Sequence, residues 1–473
     1  MYMKRLVGFS FLAICILSGC AAQKYQPAPI VPTESALRLE SRSLTDPDLR
    51  AFIEKNIGHA LPPWPQQSWN LGTLSLAALY FNPAMEAARA RSAEAQAAVV
   101  TAGARPNPSV SVAPGIPSPY LFNFDFAVPI ETAGKRGHRI QAARSLEDAA
   151  RFDLADSAWK VRSGVRVALL NYLLASRSFD LLHSEEQVRG DQVNVLEQRF
   201  SVGEIPRPEL DLAQIEFSKT HLAISTAEGQ IAEAKAALAA SIGIPVAGLQ
   251  GLNFSWADMD SPPSAESLSR EKIQREAVLN RLDVRRSLAQ YAATEADLQL
   301  EIAKQYPDVQ IGPGYTYEEK NNFFTLGVST TLPIFNRNQG PIAEAEARRK
   351  EAAANFLEKQ VQVIAGSERA LALYIAALKE LAEADQSLRK LQDARLQMME
   401  QAVRLGEEDR LSLAGVQIES SVVSRLRLDA LQRAQIALGE LEDAVQRPLD
   451  LGDVFPVDPE SPVVKKSPKE SRR

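Results

Sequence analysis

Apolar side chains occupy every second position in two segments of the chain, namely Phe122, Phe124, Phe126 and Val128 in the first and Phe324, Leu326 and Val328 in the second. A period of two places successive side chains on opposite faces of a β-strand, so each segment predicts a strand with one apolar and one polar face. With the partner strands expected just before them, the two strand pairs occupy about residues 108–130 and 307–334. Each strand has about 9–11 residues, the length that a tilted strand needs to cross a bilayer. The pattern favours apolar rows that face lipid; a strand of a soluble sandwich is the alternative, since it has the same alternation.

A long helical hairpin follows each strand pair, at about residues 134–243 and 340–447. From about Gln141 to Phe200 there is no proline, and roughly 60 helical residues span about 90 Å. The return helix of the first hairpin has a seven-residue repeat, with a large row at Leu210, Phe217, Ile224, Ile231 and Leu238 and a small row at Ala213, Thr220, Ala227, Ala234 and Ser241. Such paired rows are typical of a coiled-coil seam, and small residues let helices pack closely on two sides. The pattern predicts a wall of helices.

The two halves of the chain repeat each other at an offset of about 200 residues. Pro108–Gly115 resembles Pro307–Gly314. Further along, the pair Gly203-Glu204 matches Gly406-Glu407. Several matches in order at nearly one offset indicate a duplicated unit.

Each duplicated unit has the plan helix, two strands, very long helix, turn and helix, so the fold class is mainly α with a small β part. The helix before the strands is expected from about Leu74 to Ala104, and its counterpart from about Ser267 to Gln305. The predicted units are residues 66–250 and 267–450, joined by an equatorial linker at 251–266.

Four strands cannot close a barrel, and an open sheet edge in lipid leaves backbone groups without hydrogen bonds at a cost of several kcal/mol each. Strands that cross a membrane therefore require more than one copy of the chain. Three copies supply twelve strands, an even number within the range of known barrels. Two copies would also give an even number, so this arithmetic alone leaves a dimer open.

The N-terminus predicts a secreted, lipid-anchored protein. Lys4 and Arg5 precede a short apolar run and the sequence Leu17-Ser18-Gly19-Cys20, which resembles the lipobox of bacterial lipoproteins. Residues 1–19 are therefore expected to be a signal peptide, and Cys20 to carry acyl chains. Ala21 after the cysteine favours the outer membrane by the same resemblance.

The remaining terminal segments and the cysteine count add little chemistry. Residues 20–65 are expected to be an extended, lipidated tether, and residues 451–473 a disordered tail. The other cysteine, Cys15, lies in the signal peptide, so the mature chain has no disulfide. Beyond the signal, no run approaches the roughly 20 apolar residues that a membrane helix needs.

Charge and motifs argue against an enzyme or a nucleic-acid-binding protein. The net charge of −6 is mild. The sequence has no phosphate-binding glycine loop, nucleophile elbow or His-Glu-x-x-His motif. Its four histidines, His59, His138, His183 and His221, do not have the close spacing of a metal site. We therefore predict no catalytic residue, no metal site and no cofactor.

From about residue 70 to 447 the chain resembles the TolC-like outer-membrane efflux factor family. Pro129–Ile140 and Leu332–Gly340 are similar to the two strand-to-helix junctions of its CzcC-type members, which serve heavy-metal export. The resemblance implies a homotrimer with a 12-stranded outer-membrane β-barrel continued by a periplasmic α-helical barrel. It also implies a periplasmic adaptor (membrane fusion) protein and an inner-membrane RND-type pump as partners.

The resemblance further implies that the hairpin tips, far from the strands, dock the adaptor and constrict the resting tunnel. The candidate tip and gate residues are Gly203, Glu204, Arg207, Arg404, Gly406, Glu407, Glu408, Asp409 and Arg410. Like charges around a three-fold axis repel, so a closed tip needs partners for its carboxylates. We expect carboxylate–arginine contacts between neighbouring helices to hold the tip shut.

Two other functions stay open. The same fold could serve multidrug efflux or type I protein secretion, because the duct is shared among these machines. A periplasmic coiled-coil lipoprotein with a structural role is a different class, and it predicts neither membrane-spanning strands nor conductance.

Overall fold

A computed structural model describes residues 24–61, 64–115 and 121–449. The signal peptide, Cys20 and the expected tail at 451–473 lie outside the described residues. The chain divides into two compact units, one up to Ser41 and one from Arg42 onward. In the first unit, α1 is Pro32–Glu40. The following description concerns the second unit.

The second unit begins with a capped helix where an extended tether was expected. Helix α2, Pro47–Ile57, starts after Asp46, whose side chain accepts a hydrogen bond from the backbone N–H of Asp48. An acidic N-cap followed by proline is a strong helix start. Leu49 and Ile53, four residues apart on one face of α2, are fully buried. The expectation of an extended segment was therefore wrong for Pro32–Glu40 and Pro47–Ile57.

The helix that precedes each strand pair is broken in two. In the first repeat α3 is Leu71–Phe81 and α4 is Pro83–Ala102. The side chain of Asn82 caps α4 by accepting from the N–H of Ala84 at 2.9 Å. Two-residue strands flank this repeat: β1, Ser68–Trp69, pairs in parallel with β4, Asn253–Phe254.

The second repeat breaks at the equivalent position, Arg281. Its helices are α8, Arg270–Asn280, and α9, Leu282–Ala303; a short helix α7, Ala257–Asp260, lies in the predicted linker. The single helices expected in the two repeats were thus wrong at Asn82 and Arg281, although their overall extents agree.

Four strands form one antiparallel sheet in the order β2-β3-β5-β6. They are β2, Ser109–Pro114; β3, Leu121–Ile130; β5, Val309–Glu318; and β6, Asn321–Thr330. Glu319 and Lys320 both have positive φ and form the two-residue turn between β5 and β6. Strand pairs are present within the predicted ranges 108–130 and 307–334, and β3, β5 and β6 have the expected length. The expected length of about 9–11 residues was wrong for β2, which has six residues.

Both predicted helical hairpins are present. The first consists of α5, Lys135–Ser201, and α6, Arg207–Ile242. The 67 residues of α5 span about 100 Å. The outgoing arm of the second comprises α10, Gln339–Glu383, a π-helical turn, Ala384–Arg389, and α11, Lys390–Leu405; α12, Arg410–Val445, returns. The π-helical turn was not expected.

The heptad rows predicted on α6 form its contact face. Leu210, Ile224 and Leu238 of the large row and Ala227 and Ala234 of the small row are all buried. Near the middle of α6, Ile224 and Ala227 pack with Leu182 of α5.

By length and composition alone, one helical stretch among the described residues, Gln339–Leu405, could cross a membrane, with a mean hydropathy of 1.3 over 18 residues. No such run was predicted from the sequence. A single stretch of this kind is weak evidence for a membrane helix. Leu371, Tyr374 and Leu381 within it are buried in a core with α8 and α12.

A buried ionic cluster joins the two hairpins. Glu442 of α12 lies 3.1 Å from the guanidinium of Arg162 and 3.5 Å from that of Arg166, both on α5. Arg166 also donates to the backbone carbonyl of Gln435 at 2.8 Å. A Cβ at Gly439 would lie 2.4 Å from Arg166 Nη1, so glycine there makes room for the guanidinium.

Candidate functional site

The sheet has one apolar face. Residue pairing places Phe124 of β3 beside Val112 of β2 and Tyr315 of β5, and Tyr315 beside Phe324 of β6. The rings of Tyr315 and Phe324 are 5.3 Å apart, so this face is a continuous apolar surface across the strands. Every residue predicted to face lipid lies on it: Phe122, Phe124, Phe126, Val128, Phe324, Leu326 and Val328.

The opposite face is polar and closely packed. Asn123 pairs with Thr316, and Asp125 with Gly314, which in turn pairs with Thr325. A Cβ at Gly314 would lie 2.5 Å from Thr325 Oγ1 and 2.9 Å from Asp125 Oδ1. A side chain at this position would displace both polar groups.

Among the described strands, β2 and β6 are the sheet edges, each with a single neighbour. Their outward N–H and C=O groups are available for another strand. A sheet with one apolar face and two open edges matches the expectation of a barrel that more than one chain must close.

The two hairpin tips have the same backbone geometry. Gly203 and Gly406 have φ of +80° and +77°, values that favour glycine. In the first tip the N–H of Glu204 donates to the carbonyl of Arg199 at 2.9 Å, and in the second the N–H of Glu407 donates to that of Ala402 at 2.9 Å. Both tips are thus Schellman helix ends, which confirms their equivalence in the repeat.

An ion pair joins the tips. Asp409, the N-cap of α12, accepts from the N–H of Ser412 and from Nη2 of Arg199 on α5, each at 2.8 Å. These two hydrogen bonds, the one from Ser412 first, lower the pKa of Asp409 to about 2. Arg199 was not among the predicted gate residues. Its position next to the tip turn is the sequence feature that could have identified it.

The other predicted tip residues do not join the hairpins. Arg207 pairs with Asp211 at 2.7 Å on its own helix, and Arg404 lies 3.9 Å from Glu400 on its own helix. In the described part of the chain, four tip side chains form no ion pair or hydrogen bond, namely those of Glu204, Glu407, Glu408 and Arg410.

One cluster away from the tips was not foreseen. Glu186 of α5 accepts from Nδ1 of His221 on α6 at 2.8 Å, and Nδ1 of His183 lies 3.4 Å from its other oxygen. The structure thus brings together two histidines that are distant in sequence. No group of three or more His, Cys, Asp or Glu side chains within the described ranges is arranged to hold a metal ion.

Comparison with known proteins identifies similar chains. Residues 74–244 match the family described as outer membrane efflux protein. The cobalt-zinc-cadmium resistance protein CzcC of Cupriavidus metallidurans is 26% identical over 238 residues, which are 50% of this chain and 56% of that protein. The pyoverdine export outer membrane protein OpmQ of Pseudomonas putida is 24% identical over 332 residues, 64% of this chain and 66% of that protein. The alignments cover less than two thirds of either relative.

Solved structures have the same fold. The crystal structure of CusC superposes with a TM-score of 0.63 at 18% sequence identity, covering 90% of this chain and 99% of that chain. At this identity the likeness concerns the fold, which is that of the outer-membrane channels with a small sheet and long helical hairpins.

Proposed function

The chain carries an outer membrane efflux protein domain at residues 74–244 and has the TolC-like fold, and from that premise we propose that it is the outer-membrane channel of a tripartite efflux system. In this proposal three copies pair β6 of one with β2 of the next, forming a 12-stranded barrel continued by a periplasmic barrel of helical hairpins. Cys20 anchors each copy to the outer membrane. The family and the fold are those of channel proteins rather than enzymes.

One observation carries the proposal: a four-stranded sheet with an apolar face, a polar face and two open edges is continuous with two long hairpins. A polar face inside a closed barrel lines a water-filled passage, while the apolar face contacts lipid. The test is conductance of the purified protein in planar bilayers. A protein that is monomeric and non-conducting, yet soluble without detergent, would support a structural coiled-coil lipoprotein instead.

The cargo proposed is heavy-metal cations, delivered by an adaptor and an RND-type pump. The observation in favour is the similarity to a protein named for cobalt, zinc and cadmium resistance. The similarity to a pyoverdine export protein supports a second candidate, an organic metal chelate or another small molecule. Deleting the gene and measuring growth with cobalt, zinc or cadmium distinguishes the two, since only the first predicts sensitivity to the free ions.

We propose that the Arg199–Asp409 pair helps to hold the tip closed. Asp409→Asn keeps an N-cap side chain but removes the charge. An exposed ion pair contributes about 0.2–1 kcal/mol, so each lost pair should shift the equilibrium toward the open tip by up to about fivefold. Single-channel recording should show a larger open fraction for Asp409→Asn than for wild type.

The control for the tip is Asp211→Asn, which removes the ion pair with Arg207 inside α6 and should leave conductance unchanged. Unchanged conductance of the Glu408→Gln/Asp409→Asn channel would rule out carboxylate–arginine closure.

The pH response of the tip follows from the lowered pKa of Asp409. A carboxyl group whose pKa falls on folding stabilises the folded contact above its ordinary pKa, about 3.9. That stabilisation is lost only as the pH falls through this range toward a pKa of about 2. Conductance at pH 5 should therefore equal that at pH 7, and opening due to this pair should begin below about pH 4. Opening with a midpoint near pH 6 in wild type and equally in Asp409→Asn would assign the response to another group.

A further inference from the structure

A recess lies at the base of the sheet, where β6 leads into α10. It consists of two adjoining cavities of about 530 and 470 Å³. Both are lined by Gln305, Ile334 and Arg337. The recess is far from the hairpin tips and belongs to neither of the sites described above.

The rim of the recess exposes large apolar side chains. Leu332 is 68% exposed, Ile334 66% and Phe335 96%, and Tyr306, which also lines the recess, is 61% exposed. Leu332 lies two residues beyond the end of β6, whose even-numbered residues form the apolar face of the sheet. In sequence, Leu332 therefore follows the apolar row of β6. Large contiguous exposed patches of this kind mark interaction sites.

Charges of both signs lie in the same recess. Arg337 lines both cavities, and its guanidinium forms no ion pair or hydrogen bond with the described residues. Glu346 of α10 lines the first cavity. A guanidinium matches a phosphate diester, and a carboxylate matches an ammonium group. Apolar and aromatic side chains next to arginine are typical of the level at which a protein meets lipid headgroups.

We propose that this recess binds a phospholipid with an ammonium headgroup, such as phosphatidylethanolamine. Arg337 contacts the phosphate, Glu346 contacts the ammonium group, and the acyl chains lie along Leu332, Ile334 and Phe335. The inference rests on the proposed function, because it requires the sheet to cross the outer membrane with this rim at the periplasmic leaflet. A neighbouring copy of the chain is the competing occupant.

Tryptophan fluorescence tests the position of the rim. Phe335→Trp is reconstituted in phosphatidylethanolamine vesicles that contain brominated acyl chains, and the signal of the four native tryptophans is subtracted. Quenching of the added tryptophan is expected. Val202→Trp, exposed at the hairpin tip, is the matched control and should not be quenched. An unquenched Phe335→Trp in a conducting channel would place a neighbouring chain on the rim and overturn the proposal.

Native mass spectrometry of the detergent-extracted assembly tests the headgroup contacts. Arg337→Gln and Glu346→Gln should each reduce retention of phosphatidylethanolamine on the order of tenfold, and Arg337→Lys should restore part of it. Equal retention in Arg337→Gln and wild type would overturn the site. Conductance and outer-membrane insertion should not change in these variants. A wild-type protein that neither conducts nor inserts into the outer membrane would instead count against the proposed channel itself.

Discussion

Replacing Glu442 with alanine is expected to destabilise the folded chain by about 3–5 kcal/mol. The Glu442 carboxylate contacts the guanidinium groups of Arg162 and Arg166 and accepts from the backbone N–H of Leu449 at 2.9 Å. The side chains of the three charged residues are 1–5% exposed. Without this carboxylate, the two buried guanidinium groups lose their shared negative partner and repel each other. The expected result is a drop in melting temperature on the order of 10 °C. The measurement is thermal unfolding monitored by circular dichroism in detergent.

A matched control separates the effect of burying an ion pair on stability from the effect of ion pairing at the surface. Glu380→Ala removes a carboxylate that lies 2.6 Å from Arg433, but these side chains are 50% and 53% exposed, so a loss of about 0–1 kcal/mol is expected. Replacing all three buried charges with Met or Leu should recover much of the stability lost in Glu442→Ala. If Glu442→Ala is no less stable than Glu380→Ala, the cluster does not stabilise the contact between α5 and α12.

The strands and hairpins were predictable because their signals are local. Alternation in Phe122–Val128 fixes which side chains share a face, whichever strand lies beside it. The heptad rows on α6 fix its contact face in the same way, and Gly203 and Gly406 mark helix ends through their own backbone preference. The break at Asn82 was also readable, since Pro83 follows a residue that caps helices well.

The break at Arg281 could not be read from the sequence, because no proline or glycine marks it. The N–H of Leu282 donates to the side chain of Gln446 at 2.6 Å, and Arg281 donates to the carbonyls of Asp443 and Ala444. These partners lie about 160 residues away along the chain, so their effect depends on the tertiary fold.

The tip pair was missed for the same reason. The charged residues of both tips were recognised, but charge alone does not tell which of them meet. Arg199 reaches Asp409 only because the C-terminal end of α5 lies beside the start of α12. The buried pairing of Arg162 with Glu442 likewise depends on the contact between these helices. In the sequence, an arginine that a second helix will bury cannot be distinguished from a solvent-exposed one.

Phe124→Arg is expected to abolish assembly in the outer membrane, whereas Asn123→Arg, one residue away on β3, should permit it. An arginine on the lipid face near the middle of a bilayer costs about 2–4 kcal/mol per chain, and three copies carry it in the proposed trimer. Asn123 lies on the polar face opposite Thr316, where water can solvate the guanidinium. The measurement is the fraction of each variant recovered as heat-modifiable oligomer from outer membranes.

The same pair of variants separates a channel from a periplasmic scaffold. In a channel, Asn123→Arg adds one positive charge per chain to the passage, so the ratio of cation to anion permeability should fall in bilayer recordings. In a water-soluble lipoprotein both faces of the sheet meet water or protein, and Phe124→Arg should be no worse than Asn123→Arg. Equal recovery of the two variants with unchanged ion selectivity would therefore contradict a membrane-spanning sheet. The opposite result would assign the apolar face to lipid and the polar face to the lumen, as the alternation along β3 requires.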